Sequence, residues 1–159
     1  MLVQVEITSF AVDSQRGLPL IILKECGGER SVAVPIGPLE ASAIAMHSLD
    51  VETDKPLTID LVGIVIEQLG GFLARVVISD LVEQSFSASI QVTAGSAVKV
   101  IDCRPCDAIG LALRSGCPIF VRDAVLSKVN SDTELSEEEQ LRKHVRSIDT
   151  IEFGRFVLE

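Results

Sequence analysis

The chain of 159 residues contains no tryptophan, no tyrosine and only six phenylalanines, although 47% of its residues are hydrophobic. Its core must therefore be aliphatic, and this length suits one domain with a substantial core. No apolar run approaches the roughly 18 residues that a membrane-spanning helix needs. The N-terminus also lacks the basic segment, apolar block and cleavage site of a secretory signal. We therefore expect a cytoplasmic protein without a membrane partner.

Positive charge is also scarce, because 14 basic residues face 23 acidic ones and the net charge is −9. Proteins that hold nucleic acid through its phosphates usually carry a basic surface. The overall charge therefore disfavours tight nonspecific binding to nucleic acid, unless a local basic patch or a bound cation reverses it.

Cysteine is sparse, with four residues, of which Cys103 and Cys106 form a CxxC pair. Such a pair is typical of a redox site or of half a zinc site. A zinc site would need two more ligands, and the chain has no second CxxC and no HxxxH. The strand–CxxC–helix order fits a redox pair. Two buried small thiols are the simpler interpretation, because free cysteine packs as a small hydrophobe.

The apolar pattern predicts strands and helices in one mixed domain. Residues 2–12 alternate like a half-buried strand, whereas residues 18–24 form a nearly continuous apolar run, which suits a strand covered on both faces. Residues 58–69, with Thr58 as the N-cap, form a helix that is apolar on several sides. We expect the sheet and a second subunit to cover this helix, most simply in a two-fold dimer.

Residues 98–121 predict a buried strand, a polar junction, a short apolar helix and a second buried strand. Pro105 suits the first helical position, and Asp107 lies in the first turn, where a carboxylate complements the helix dipole. Asp102, Arg104 and Asp107 therefore crowd one strand-to-helix joint.

An internal repeat appears when residues 38–48 are placed on residues 105–115, at an offset of 67 residues. Proline, an acidic residue, two alanines and a serine recur at matched positions, and the strands fall in register at the same offset. We therefore expect an α+β fold built from two repeated βββα units, at about 3–49 and 70–116, with mixed or antiparallel sheets packed against helices. The helix from Thr58 lies between the two units.

The last thirty residues, 130–159, predict a helical tail on a domain that spans 1–129. Ser136 to Glu139 form a capping box that opens a helix, whose thin apolar stripe runs to Ile148. Residues 151–158 fit a final strand or an arm. We expect this tail to pack on its own domain or on a neighbouring subunit.

Three motifs in this chain resemble those of the bifunctional nuclease domain family, and in the same order. They cover residues 34–41, 55–61 and 102–121, within a resemblance that extends over about residues 2–129. In sequence they read Val-Pro-Ile-Gly-Pro-Leu-Glu-Ala, then Lys-Pro-Leu-Thr-Ile-Asp-Leu, and finally Asp-Cys-Arg-Pro-Cys-Asp-Ala-Ile-Gly-Leu-Ala-Leu-Arg followed by Ser-Gly-Cys-Pro-Ile-Phe-Val.

This resemblance implies degradation of DNA and RNA, hence a nucleic-acid partner and a metal-assisted phosphodiesterase. The family usually carries histidine between the threonine and aspartate of the second motif, whereas this chain has Ile59 there. If that histidine is a general base or a metal ligand, this chain lacks its chemistry.

The candidate catalytic residues are Glu40, Asp102, Arg104 and Asp107. Glu40 and Asp107 are related by the repeat, and paired carboxylates suit a divalent cation such as Mg²⁺ or Mn²⁺. The same two carboxylates equally suit helix dipoles or ion pairs with arginine. Arg104 is able to clamp a phosphate while Asp102 orients it or binds metal, or the two residues simply lock the joint. A noncatalytic ligand-binding or protein-interaction module on this scaffold is therefore the alternative function.

Overall fold

The computed structural model describes residues 1–131 and 145–158, in which eight strands form one mixed sheet with five helices packed against it. The strands are β1 (Leu2–Asp13), β2 (Leu18–Glu25), β3 (Ser31–Pro35), β4 (Gly71–Val82), β5 (Ser85–Ala94), β6 (Ala97–Cys103), β7 (Ile119–Arg122) and β8 (Val145–Ile148). The helices are α1 (Pro38–Ser48), α2 (Thr58–Gln68), α3 (Pro105–Ser115), α4 (Asp123–Ser131) and α5 (Thr150–Leu158). None of these described helices is both long enough and apolar enough to cross a bilayer. The predicted α+β fold is confirmed.

Two antiparallel meanders, β1–β3 and β4–β6, flank the short strand β7 in the order β3-β2-β1-β7-β4-β5-β6. Strand β7 pairs antiparallel with β1 and parallel with β4, and β8 pairs antiparallel with the end of β1. Each meander continues into a helix, α1 or α3, and these helices start 67 residues apart. Both halves therefore contain the predicted order of three strands and a helix, while their origin by duplication stays a prediction.

The core is aliphatic, as the composition requires. In β2, Leu20, Ile21 and Leu23 are at most 2% exposed, which confirms a strand covered on both faces. Helix α3 is buried on several sides, because it contacts α1, α2 and the sheet. Its small residues let these neighbours approach closely: a Cβ on Gly110 would lie 3.2 Å from Cγ1 of Ile59 in α2.

Strand β6 differs from the sequence prediction, which made it a buried strand. It forms one edge of the sheet and is exposed on both faces, with Val98 59%, Val100 60% and Ile101 49% exposed. Its β-branched residues therefore favour an extended backbone, and they do not indicate that the strand is buried.

The start of α2 also differs from the prediction in one detail. Thr58 is the first helical residue, and Leu57 occupies the N-cap position. The Leu57 N–H donates to Oδ2 of Asp60 at 3.1 Å, so a carboxylate in the first turn supplies the cap instead of the threonine hydroxyl.

The tail packs on its own domain as helix α5, so the predicted strand or arm at 151–158 is wrong. Phe153 is fully buried and its ring stacks on Phe10 of β1, with centroids 4.2 Å apart. The helix predicted from the capping box at Ser136 falls largely in residues 132–144, which lie outside the described residues. Its predicted end is wrong, because Val145–Ile148 forms β8 beside β1.

Candidate functional site

The N-termini of α1 and α3 meet above the sheet, one from each half of the chain. Each helix has proline at its first position, Pro38 or Pro105, after an extended N-cap residue that makes no side-chain cap hydrogen bond. The first N–H groups of a helix have no partner inside it and give that end partial positive charge. The meeting point therefore favours carboxylates and phosphates.

Three of the four predicted catalytic residues meet here, and we call Glu40, Arg104 and Asp107 the Arg104 cluster. Nη2 of Arg104 lies 2.6 Å from Oε1 of Glu40. The same guanidinium donates from Nε and Nη2 to the two carboxylate oxygens of Asp107, at 2.8 and 3.0 Å. Arg104 thus joins the carboxylates of the two halves, and the predicted pairing of these acids with an arginine is present.

The Arg104 cluster is open to solvent. The Arg104 side chain is 66% exposed, whereas those of Glu40 and Asp107 are 20% and 32% exposed. Hydrogen bonds to Asp107 and then to Glu40 raise the pKa of Arg104. The guanidinium is therefore permanently charged and within reach of a ligand, and one positive charge faces two negative ones.

Cys106 completes a set of potential metal ligands that the sequence analysis did not assign. One ligand atom from each of Glu40, Cys106 and Asp107 lies within 4.8 Å of the others. Burial, followed by the charge of Asp107, raises the pKa of Cys106, so its sulfur is a neutral thiol near pH 7. The charged donors are then two carboxylates, which suit Mg²⁺ or Mn²⁺. The position of Cys106 directly before Asp107 in a first helical turn was the available signal.

Asp102 stands apart from the Arg104 cluster. It pairs across the sheet with Ser89, and consecutive strand residues point to opposite faces, so it points away from the face that Cys103 shares with buried Ala88. Among residues 1–131 and 145–158 the Asp102 carboxylate forms no ion pair and no hydrogen bond. The structure therefore does not bring this candidate to the other three.

The CxxC pair has little redox character. Both cysteines are free thiols, and burial, followed by the charges of Asp107 and Asp102, raises the pKa of Cys103 to about 11. Burial also raises the pKa of Cys106. Catalytic cysteines in redox motifs have lowered pKa values, because the thiolate is the nucleophile. The raised pKa values therefore favour the interpretation of small packed thiols.

Ile59, at the position where the resembled family carries histidine, lies close to this site without entering it. It is half-buried against Gly110 of α3, which lies four residues after Cys106, about 6 Å along the helix. The neighbouring Ile44 of α1 makes this surrounding apolar. At this position the chain therefore carries a hydrocarbon side chain, which cannot transfer protons.

The fold and the site together define the class of this protein as α+β. Its mixed sheet supports two helix N-termini, and these bring two carboxylates and an arginine together in a polar site that is open to solvent.

The model of the bifunctional nuclease domain matches residues 21–134, which include the whole Arg104 cluster and Ile59. Two proteins of Mycobacterium tuberculosis are each 34% identical to this chain over 154 residues, covering 97% of this chain and 92% of the relative. They are the uncharacterized protein MT1877 of strain CDC 1551 and the uncharacterized protein Rv1829 of strain H37Rv. The chain belongs to the bifunctional nuclease domain family.

Proposed function

We propose that this protein is a metal-assisted phosphodiesterase that acts on nucleic acid at the Arg104 cluster. The observation that carries the proposal is the meeting of Glu40 and Asp107, which come from different halves of the chain and place ligand atoms within 4.8 Å of each other. Family membership supports the choice of nucleic acid as the substrate class.

Each residue of the cluster has a distinct role in this proposal. Glu40 and Asp107 hold the divalent cation, which when bound lowers the pKa of a water ligand and neutralises phosphate charge. Arg104 presents a planar, exposed guanidinium that binds two phosphate oxygens. The two helix N-termini add partial positive charge toward the same anion. Asp102 lies outside the cluster, and no step is assigned to it.

Charge makes this proposal specific about the cation. The chain has a net charge of −9, and the cluster contains two carboxylates for one guanidinium. Without a cation, the two carboxylates repel the phosphates of nucleic acid, and in the cluster only Arg104 attracts them. We therefore expect a chelator to weaken binding of nucleic acid as well as its cleavage.

A second candidate function is a noncatalytic module that binds an anionic ligand through Arg104 and the helix N-termini. Two observations favour it: Arg104 already neutralises part of the carboxylate charge, and Ile59 supplies no general base. The two functions share a binding site and differ in whether the bound phosphodiester is cut.

Cleavage of labelled single-stranded RNA and DNA tests the proposal, with Mg²⁺, Mn²⁺ or EDTA present. The test variant is Asp107→Asn. Its matched control is Glu67→Gln, which also removes a carboxylate paired with an arginine, Arg114, at 3.1 Å, but away from the cluster. We expect metal-dependent cleavage that falls about 100-fold in Asp107→Asn and persists in Glu67→Gln, because only the former loses a group that stabilises charge at the reacting phosphate.

The other outcomes are equally informative. Equal cleavage by the wild type and Asp107→Asn would contradict the assigned site. Cation-independent binding without cleavage by any variant would favour the noncatalytic module. In that case Ile59→His becomes the direct test of whether a missing base limits the chemistry, since Ile59 packs on α3, the helix that carries Asp107.

A further inference from the structure

Within residues 1–131 and 145–158, strand β6 has one edge whose backbone groups lie beside no partner strand. It is the last strand of the sheet on its side, and six of its seven residues are exposed. Its pairing with β5 is regular from Ala88 opposite Cys103 to Ala94 opposite Ala97, with no bulge. Seven extended residues present an edge of about 23 Å.

The hairpin fixes which groups point outward. Strands β5 and β6 are joined by two residues, with Gly95 at a φ of +59°, as two-residue hairpin turns require. Residues that flank such a turn bond each other, and bonded pairs then alternate along the strands. Val98, Val100 and Asp102 therefore direct their N–H and C=O groups away from β5.

Strand β6 has little protection against pairing with another strand. Natural edges carry charged side chains, prolines, bulges or a covering helix, and of these β6 has only the charges of Lys99 and Asp102 among exposed apolar residues. The other sheet edge, β3, contrasts with it, because α4 packs beside β3 and Nδ2 of Asn130 donates to the Ser31 carbonyl at 3.0 Å. An unprotected apolar edge of this length indicates a strand that is paired in the working form of the protein.

One antiparallel register pairs all seven residues of β6 with a second copy of the strand and opposes no like charges. Only outward-directed residues pair with one another, so the allowed registers differ by steps of two residues. Full overlap of the strand places Val100 opposite Val100 of the partner subunit, and Val98 opposite Asp102 of the partner subunit. One step in one direction sets Lys99 against Lys99 of the partner subunit, which is destabilising. One step in the other direction centres the pairing on Ile101 and pairs only five residues of each strand, whereas full overlap pairs all seven. Two steps in that direction oppose the two Asp102 side chains, which is also destabilising.

We propose that two copies of this chain form a two-fold dimer by antiparallel pairing of their β6 strands, centred on Val100. The two sheets then continue through the interface as one. Such a contact is isologous, since the same edge serves both copies and no edge remains open. The pairing also sets the Cys103 end of each strand beside the Ala97 end of the other, so each Arg104 cluster adjoins the partner. This inference is independent of the proposed nuclease activity.

A proline substitution tests the backbone contact without disturbing the subunit. The N–H of Val100 points away from β5, so Val100→Pro removes a bond across the interface and none within the hairpin. We expect the wild type to have the mass of two chains in analytical ultracentrifugation at micromolar concentration, and Val100→Pro to have the mass of one. Val100→Thr is the matched control, because it keeps the N–H and the β-branched shape and should remain dimeric. Circular dichroism of each variant verifies folding.

Cross-linking tests the register. In a Cys26→Ser background, which removes an exposed native thiol, Val100→Cys places two sulfurs on the two-fold axis. Residues paired in this way have Cα atoms about 5.5 Å apart, within the range that a disulfide spans. We expect a covalent dimer on mild oxidation of Val100→Cys, and at least tenfold less from Val98→Cys, which faces Asp102 of the partner subunit. A monomeric wild type, or a dimer that Val100→Pro leaves intact, would overturn the proposal, as would equal cross-linking at both positions.

Discussion

Strands β3 and β6 hold the same position in the two halves of the molecule, as the third strand of a meander before a helix, yet their surroundings are opposite. Val32 and Val34 of β3 are 1% and 0% exposed. Ile101, which lies 67 residues after Val34, is 49% exposed. Both strands are rich in β-branched residues, so their local composition does not distinguish them.

The difference between these strands lies in what the rest of the chain places beside them. Helix α4 follows β7 and packs against β3, whereas no described element packs against the outer edge of β6. The third strand of the first half, β3, is therefore covered by a helix, whereas the third strand of the second half, β6, is not covered by any described element. The repeated order of three strands and a helix therefore predicts that both segments form strands. It does not predict their burial, which depends on elements outside the repeat.

We expect the largest difference in stability between the halves when aspartate replaces matched residues of β3 and β6. Val34→Asp buries an unpaired carboxylate in β3 and should destabilise the fold by roughly 4 kcal/mol. Ile101→Asp should cost about 1 kcal/mol or less, because that side chain reaches water. Urea unfolding of both variants in the Val100→Pro background gives the comparison free of subunit contacts. Similar losses in the two variants would contradict the described burial.

A smaller contrast is expected between the helices α1 and α3, at Ala43 and its counterpart Gly110. Ala43→Gly should cost about 1 kcal/mol through helix propensity alone. Gly110→Ala should also destabilise, by about 1 kcal/mol, because the new Cβ would lie 3.2 Å from Cγ1 of Ile59. Adding Ile59→Ala removes the crowding atoms, so Gly110→Ala should then stabilise. A double-mutant cycle measured by thermal unfolding checks this reversal, and additive effects would refute the close contact.

The smallest contrast concerns the residue before each N-cap, Ile36 in the first half and Cys103 in the second. The thiol of Cys103 has its pKa raised to about 11 from the ordinary 9.0, so it carries about 100-fold less thiolate at pH 8 than an ordinary thiol. We expect iodoacetamide to modify Cys103 far more slowly than exposed Cys26, as followed by peptide mass spectrometry. In urea the two rates should converge. Early modification of Cys103 in the folded protein would contradict its burial.

The same shift gives a direction for stability against pH. The folded pKa of Cys103 lies above the unfolded value, so its contribution is complete below pH 9 and is lost as the pH rises toward 11. Replacement by isoleucine, the residue of the first half, should remove this dependence. Unfolding midpoints at pH 8 and pH 10 for the wild type and Cys103→Ile measure the difference.

Most elements of the fold follow from the sequence because their signals are local. The proline at the start of α1 and of α3, and Gly116 at the end of α3 with a φ of 69°, fix helix ends through backbone geometry that neighbours do not alter. The helix at 151–158 was harder to predict from the sequence, because its Phe153 packs on Phe10, which lies far away in the sequence.

The candidate site likewise has one part that the sequence predicts and another part that it does not. The repeat predicted that Glu40 and Asp107 occupy equivalent first turns, and the two helix starts do meet. The role of Cys106 as a neighbouring donor, and the separation of Asp102 from the cluster, depend on how α3 turns relative to β6. Side-chain direction across a strand-to-helix joint is a tertiary property, which a motif does not encode. The expected subunit contact through α2 stays a prediction, and the apolar side chains of this helix, such as Leu61 at 50%, are exposed. The open edge of β6 could be found only from the strand order.

The guanidinium of Arg104 is an internal counterion for Glu40 and Asp107. Under the proposed function, this would make binding of the cation and of the phosphate thermodynamically dependent on each other. While Arg104 is held by Glu40 and Asp107, a cation at these carboxylates must displace it. A phosphate that engages Arg104 weakens that hold and so raises the affinity for the cation. Reciprocity requires that the cation raises the affinity for the phosphate by the same factor. Under the proposed function, such a site would bind free metal weakly and would bind it more tightly together with an anion.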